Sequence, residues 1–177
     1  GLSPEFPDLL SDAVYGLSEH YADAIMSARL VACPGCYPTA VLTALLPVIK
    51  LGQVSCDDLI IDAKSGVTGA GRSLKETNLF SEIAEGLAPY SIAHHRHAPE
   101  IEQEIRFAAG SDNVTINFTP HMVPMNRGEL VTIYAKTNGA EADDVRASLN
   151  AFYDDKPFVK IVGAEETPAT RHVRGSN

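Results

Sequence analysis

Hydrophobic positions recur with a helical period over Ser18–Ser27, where Ser18 is placed to cap the N-terminus. "ARLVACPG" from Ala28 is a short apolar run ended by Pro-Gly, the pattern of a strand entering a turn. "YPTAVLTALLPVIKLG" predicts a helix from Tyr37, with Pro38 in the first turn, where a missing N–H costs little, and Gly52 as its stop. "DDLIIDAKSG" predicts a strand running into the glycine-rich loop "SGVTGAGRS", "NLFSEIAEGL" a short helix, and "YSIAHHRHA" a strand and loop. "PEIEQEIRFAAG" is a further helix, with Pro99 near its start. Two β-rich runs, "NVTINFTPHMVP" and "GELVTIYAKT", flank a turn at "MNRG". "EADDVRASLNAFYDD" is an amphipathic helix, "FVKIVG" a last short strand, and the closing "TPATRHVRGSN" carries no helical or capping pattern. Mixed strands and helices, with the closing strands near one another, predict an α+β domain whose largely antiparallel mixed sheet carries helices on one face. The stretch Gly1–Ala28, rich in Pro, Ser and Asp, has the texture of a tail. The expected division is a linker or the end of a preceding domain at 1–29 and one domain at 30–177.

Composition narrows the function classes more than the fold. A chain of 177 residues, 45% hydrophobic, can bury a core as one domain. Its 14 Lys and Arg against 23 Asp and Glu leave a charge of −9, which argues against a nucleic-acid or anionic-membrane partner. An anionic small substrate stays open, because two or three well-placed cations suffice for it. The most apolar stretch, "AVLTALLPVIKLG", is too short to cross a bilayer, and "GLSPEFPDLL" lacks the basic start and apolar core of a signal peptide. With only 3 Cys a disulfide framework is not expected, and the cytoplasm is the default location.

The chemistry concentrates in "VACPGCYPTA", where Cys33 and Cys36 are spaced C-x-x-C. A redox dithiol of thioredoxin type would run its helix from the first Cys, whereas this helix follows the second. A structural zinc site would draw on both thiols and the "HHRH" cluster His94–His97, at a spacing matching no common finger. The third reading makes Cys36 a nucleophile, presented by the Pro-Gly turn at a helix start whose free N–H groups and dipole stabilise a thiolate or an oxyanion. On that reading its pKa falls below the roughly 8.5 of a free thiol. No metal is expected.

At "PGCYPT" the chain resembles the N-acetyl-γ-glutamyl-phosphate reductases of arginine biosynthesis, relatives of the aspartate-semialdehyde and glyceraldehyde-phosphate dehydrogenases. The likeness runs in ordered blocks from "VYGLSE" through "RLVACPGCYPTA", "KSGVTGAGR", "HRHAPEI" and "FTPHMVPMNRG" to "VRGSN". It implies a glyceraldehyde-phosphate-dehydrogenase-like C-terminal domain and NADPH-dependent reduction of N-acetyl-glutamyl 5-phosphate to the semialdehyde through a cysteine thioester. Cys36 aligns with the nucleophile and His95 with the catalytic histidine, with His97 beside the substrate. Ser65, Gly66 and Pro38 are implied cofactor contacts; Arg72 and Arg96, then Arg127, are candidates for the substrate's anionic groups. The family's dinucleotide-binding domain opens with a Gly-rich turn that is not found here. The resemblance therefore implies a catalytic and oligomerisation half, dimeric or tetrameric in the whole enzyme. Such a half keeps the reactive thiol without turning over alone, and NADP(H) is bound mainly elsewhere. The family usually has Asn where this chain has Cys33. Rival functions are a related reductase acting on an aminoadipyl or aspartyl acyl phosphate, a thiol hydrolase using Cys36 and His95, and a non-catalytic assembly module. His20 reads as surface, His121 as a loop support, and the carboxylates of "PEIEQE" as a solvent face, with Glu100 able to orient His97.

Overall fold

The computed structural model describes residues 5–176. Near the start, β1 (Ala13–Tyr15) and β2 (Leu30–Ala32) pair in parallel across α1 (Ser18–Ser27), forming a small sheet of their own. The main sheet is built from β3 (Leu59–Ser65), β4 (Ala88–Pro89), β5 (Ile116–Met122) and β6 (Glu129–Tyr134), in the order β4-β5-β3-β6. Antiparallel pairs join β3 to β6 and β4 to β5, while the central pair, β3 and β5, is parallel. The helices are α2 (Cys36–Lys50), the single turn α3 (Phe80–Ile83), α4 (Ala98–Ala109) and α5 (Ala142–Tyr153). The α+β architecture stands as expected.

The two closing β runs do not form a hairpin. They lie on opposite sides of β3, so Val123–Gly128 crosses over the end of that strand instead of turning back beside β5. "FVKIVG" forms no strand: it joins neither edge of the sheet, and the Val162 carbonyl accepts a hydrogen bond from the Arg146 guanidinium at 2.5 Å. In "YSIAHHRHA" the chain bends at once, because only Ala88 and Pro89 pair, just before it. Thr170–Val173 forms a single 3-10 turn where no helical pattern was visible.

Alternation along β3 divides the sheet into two unlike faces. Leu59, Ile61, Ala63 and Ser65 are buried beneath the helices, while Ile60, Asp62 and Lys64 look outward. The core joins this covered face to the apolar side of α2 (Val41, Leu42, Leu45, Leu46) and to Ile101 and Ile105 of α4. Burying such aliphatic side chains contributes about 2 kcal/mol each. On the outward face Asp62 pairs with Lys64, and His121, on β5, has its Nδ1 3.2 Å from the Ala63 carbonyl oxygen.

Some of the polar groups buried between the helices find partners. Pro47, inside α2, has no N–H for the Thr43 carbonyl, and the Tyr153 hydroxyl of α5 donates to that carbonyl at 2.5 Å. Tyr153 in turn lies 3.0 Å from His20 Nε2, and the His20 ring stacks on Phe152. His20 is therefore no surface residue: burial, then the charges of Lys50 and Lys156, lower its pKa to about 4. Of the "PEIEQE" carboxylates, Glu102 keeps the solvent side in an ion pair with Arg106, whereas Glu104 is enclosed. Glu104, 3% exposed, accepts from the Tyr21 hydroxyl at 2.6 Å, tying α4 to α1.

Candidate active site

The parallel strands β3 and β5 end together at Ser65 and Met122, and α2 starts at that end of the sheet. Its N-cap, Gly35, is extended (φ −67°, ψ 163°) and offers no side-chain cap, so the first-turn N–H groups stay free for a ligand or a thiolate. The turn before them is fastened from below. The Gly35 N–H donates to Glu100 Oε1 at 3.0 Å, and the Tyr15 hydroxyl donates to the same oxygen at 2.8 Å. Only glycine fits at position 35, because a Cβ there would stand 2.4 Å from His97 Nε2. Glu100 thus holds the cysteine turn directly, and it also faces His97 as a charge that favours the protonated ring.

The histidines arrive on a tight bend after β4, in which Ser91 (φ 47°) and Ala93 (φ 60°) occupy the left-handed region. The His95 ring packs between Tyr37, Tyr90 and Phe118, with centroids 5.3–5.7 Å away, and 4.9 Å from His97. Burial, helped by His97, Arg96 and His94, lowers the His95 pKa to about 4. His97 is 8% exposed, and burial lowers its pKa too. Both rings are neutral near pH 7. His95 Nδ1 accepts the His97 backbone N–H at 3.2 Å, which puts the His95 proton on Nε2.

Cys36 is exposed as a residue, yet its thiol is half-buried. This desolvation, followed by the charge and hydrogen bond of Glu129, pushes the thiol up to about 11. The N–H groups of Cys36 and Tyr37 pull the other way and are outweighed. The expectation of a depressed thiol pKa is therefore corrected for this state: burial of the sulfur, with Glu129 second, outweighs the helix start. Glu129 is a side chain near the site that the sequence reading did not name. Its signal was available in "ELVTIY": Val131 and Ile133 alternate toward the helices, which carries Glu129 to the covered face opposite Ser65. Burial raises the Glu129 pKa to about 7, against a smaller lowering by the Cys36 hydrogen bond.

The remaining candidates divide. The glycine loop is pinned to the crossing segment: Gly66 N–H donates to the Gly128 carbonyl and Val67 N–H to the Met125 carbonyl. A Cβ on Gly66 would lie 2.9 Å from the Arg127 nitrogen, so this close approach requires glycine. Arg127 thereby reaches the site end of the sheet, with its side chain exposed, and Arg96 lies within charge range of Tyr90, His95 and His97. Arg72 is exposed, in the loop after the glycine-rich turn. Pro38 is enclosed in the core and Ser65 is 5% exposed, so neither side chain presents surface to a cofactor in this arrangement. Among the described residues no group of three His, Cys, Asp or Glu is placed to hold a metal ion, and no helix is long and apolar enough to cross a membrane.

A thiol at an uncapped helix start, two imidazoles and a carboxyl are gathered at this end of the sheet. Residues 36–177 match the family described as "Semialdehyde dehydrogenase, dimerisation domain", and the chain belongs to that family. It is 50% identical over 171 residues, 96% of its length, to an N-acetyl-gamma-glutamyl-phosphate reductase of Afipia carboxidovorans. It is 49% identical over 178 residues, all of its length, to one of Rhodospirillum rubrum. It covers 48% and 50% of those proteins, so it spans about half the length of the curated relatives it matches. The fold is also that of an aspartate semialdehyde dehydrogenase II from Vibrio cholerae, with a TM-score of 0.68 at 16% identity, covering 94% of this chain and 56% of that one.

Proposed function

We propose that this chain is the thioester-forming half of an enzyme that reduces N-acetyl-glutamyl 5-phosphate to N-acetyl-glutamate 5-semialdehyde with release of phosphate. The relatives, about half identical over nearly the whole chain, support this substrate class. The observation that carries the chemistry is Cys36, exposed at the uncapped start of α2, whose neighbours Gly35 and Tyr37 lie against His97 and His95. The sulfur attacks the acyl carbon, and phosphate leaves with the electrons of its C–O bond. The N–H groups of the first α2 turn face the oxyanion that forms on the way. His95, protonated on Nε2, donates a hydrogen bond and holds no positive charge that would compete for the phosphate. Arg96 and Arg127 are the cations within reach of the anionic substrate.

The reductant is NADPH, which supplies hydride to the thioester. Ser65, Gly66 and Pro38 form no open cradle for a dinucleotide, so its binding groups are assigned mainly outside this chain. A homo-oligomer is supported by the description of the matched family as a dimerisation domain. The outward sheet face, with Ile60 44% and Tyr134 58% exposed, supplies the surface for it.

The test is phosphate release coupled to NADPH oxidation by the protein carrying this sequence at its relatives' full length. Activity on the acetylglutamyl phosphate above the aminoadipyl analogue is expected, with a drop of at least about a thousandfold in Cys36→Ser. Phosphate release at the same rate without nucleotide would replace the reading with a thiol hydrolase. Turnover by this chain alone would remove the half-enzyme part of it.

A further inference from the structure

Tyr15 lies outside residues 36–177, the region the family description covers, yet its hydroxyl ends at the cysteine turn. The segment leading to Cys36 is gripped from β1 at two points. Tyr15 pairs with Ala32 in the parallel register, and the Gly16 N–H donates to the Ala32 carbonyl at 2.9 Å. Further on, the Gly35 N–H donates to Glu100 Oε1 at 3.0 Å, the same oxygen that accepts the Tyr15 hydroxyl at 2.8 Å. The Gly35 carbonyl is held as well, by the Thr39 N–H at 3.0 Å and the Thr39 hydroxyl at 2.9 Å. Both backbone groups of the residue before Cys36 are thus fixed. A second link stands one helical turn along α4, where Tyr21 donates to Glu104 Oε2 at 2.6 Å. The two tyrosine rings meet edge to face, 6.1 Å apart. Both links join the leading strand and helix to α4, but the Tyr15 link alone converges with Gly35 on one oxygen.

Resting on the acyl-phosphate reading, we propose that Tyr15 is a positioning residue for the reaction at Cys36. Its hydroxyl fixes Glu100 Oε1, and that oxygen fixes the Gly35 N–H and with it the start of α2. The last torsion of a glutamate side chain is broad, so one donor leaves the carboxylate free to swing. A second donor on the same oxygen, carried by a strand that is itself paired to β2, sets where that oxygen stands. Hydrogen bonds to an ionised acceptor are the short, strong kind suited to the task. What they hold is the approach of the sulfur to the acyl carbon, where a misplacement of 1 Å costs on the order of a hundredfold in rate. Because Tyr15 acts through Glu100 and the backbone, its effect falls on turnover and not on substrate affinity.

The test pairs Tyr15→Phe with Tyr21→Phe in the protein carrying this sequence at its relatives' full length. Each substitution removes one hydroxyl from a hydrogen bond to an α4 carboxylate, so similar drops in the urea midpoint are expected. Tyr15→Phe should lower kcat for phosphate release about tenfold with KM within about twofold, and slow alkylation of Cys36 by iodoacetamide about threefold. Tyr21→Phe should keep both rates within about twofold. Equal kcat for the two variants overturns the proposal, as does a Tyr15→Phe loss confined to KM. Glu100→Gln keeps an oxygen for both donors and should alkylate nearly as the original does, whereas Glu100→Ala should slow at least as much as Tyr15→Phe. Equal losses in these two overturn the proposal, and the pair reads it even where Tyr15→Phe fails to fold. In a His97→Ala background the Tyr15→Phe loss in alkylation should persist; its disappearance would place the action on the imidazole and overturn the role assigned to the turn. Alkylation needs neither acyl phosphate nor nucleotide, so failure here is separate from failure of the phosphate-release test.

Discussion

Two sets of carboxyls, one on α4 and one on the covered face of the sheet, are treated in opposite ways. Around α4 every donor is matched: Glu100 takes the Gly35 N–H and the Tyr15 hydroxyl, and Glu104 takes the Tyr21 hydroxyl. At the start of β6, Glu129 keeps one oxygen buried and unpartnered. A saturated carboxylate contributes stability by fixing geometry, whereas an unsaturated one costs stability and holds its proton to higher pH. The first set holds the turn that presents Cys36; the second ties the stability of the sheet to pH.

The largest effect is expected where the two sets meet. Gly35→Ala drives a methyl into the His97 ring and displaces the N–H held by Glu100. A loss of about 3 kcal/mol is expected in urea unfolding, together with disrupted Cys36 alkylation. A stable Gly35→Ala protein with the original alkylation profile would show that the turn is not fastened as described. Next comes Glu104→Ala, which strands the Tyr21 hydroxyl and should cost about 2 kcal/mol. Glu104→Gln keeps an acceptor oxygen and should cost less than half of that. Equal costs for the two substitutions would mean that charge, not hydrogen bonding, holds α1 to α4.

The pH dependence separates the sets further. In the folded chain Glu129 binds its proton up to about 7, against 4.5 for an ordinary glutamate, so its contribution is intact below 4.5 and lost as pH rises through 7. Glu129→Gln escapes that loss and should exceed the unsubstituted protein by on the order of 1–2 kcal/mol above pH 7, after allowance for solvent screening. Near pH 4.5 the two should converge. His20 and His95 act in the other direction. Their lowered values, about 4 against 6.5, contribute stability that is lost as pH falls from 6.5 toward 4. The unsubstituted protein should therefore weaken on both sides of a narrow optimum, and Glu129→Gln on the acid side alone. Parallel stability curves for the two proteins would remove the penalty assigned to Glu129.

What the sequence disclosed follows from how far apart the determining residues lie. The α1 pattern at Ser18–Ser27 and the helix after Pro-Gly depend on neighbours a turn away, and the structure has both, the second starting at Cys36 one residue early. The placement of β5 and β6 depends on β3, which enters between them from far upstream, so the turn at "MNRG" alone could not say that they are not neighbours. The same limit governed the site. The pull of the α2 N-terminus on Cys36 could be read from "PGCYPT", but the opposing push comes first from burial and then from Glu129, both set by residues remote in sequence. His20 was assigned to the surface because its stacking partner Phe152 lies near the other end of the chain. Only the alternation of Glu129, Val131 and Ile133 was a local sign of a carboxyl facing inward.

The smallest effect concerns Cys33, which supplies the C-x-x-C spacing. Cys33 is exposed and outside α2, and no polar partner is found for it among the described residues. Cys33→Ser should leave stability within about 0.5 kcal/mol and leave the Cys36 alkylation profile unmoved. If the pair were a redox dithiol, this substitution would abolish protection of Cys36 by mild oxidation, and both thiols of the original protein would label fast and equally. On the present reading Cys36 is set by the fastened Gly35 turn and the α2 N-terminus, and the Cys33 side chain holds neither. The alkylation rate of Cys36 should then follow Tyr15→Phe and ignore Cys33→Ser. The reverse dependence would make the cysteine spacing, not the fastened turn, the feature that controls this thiol.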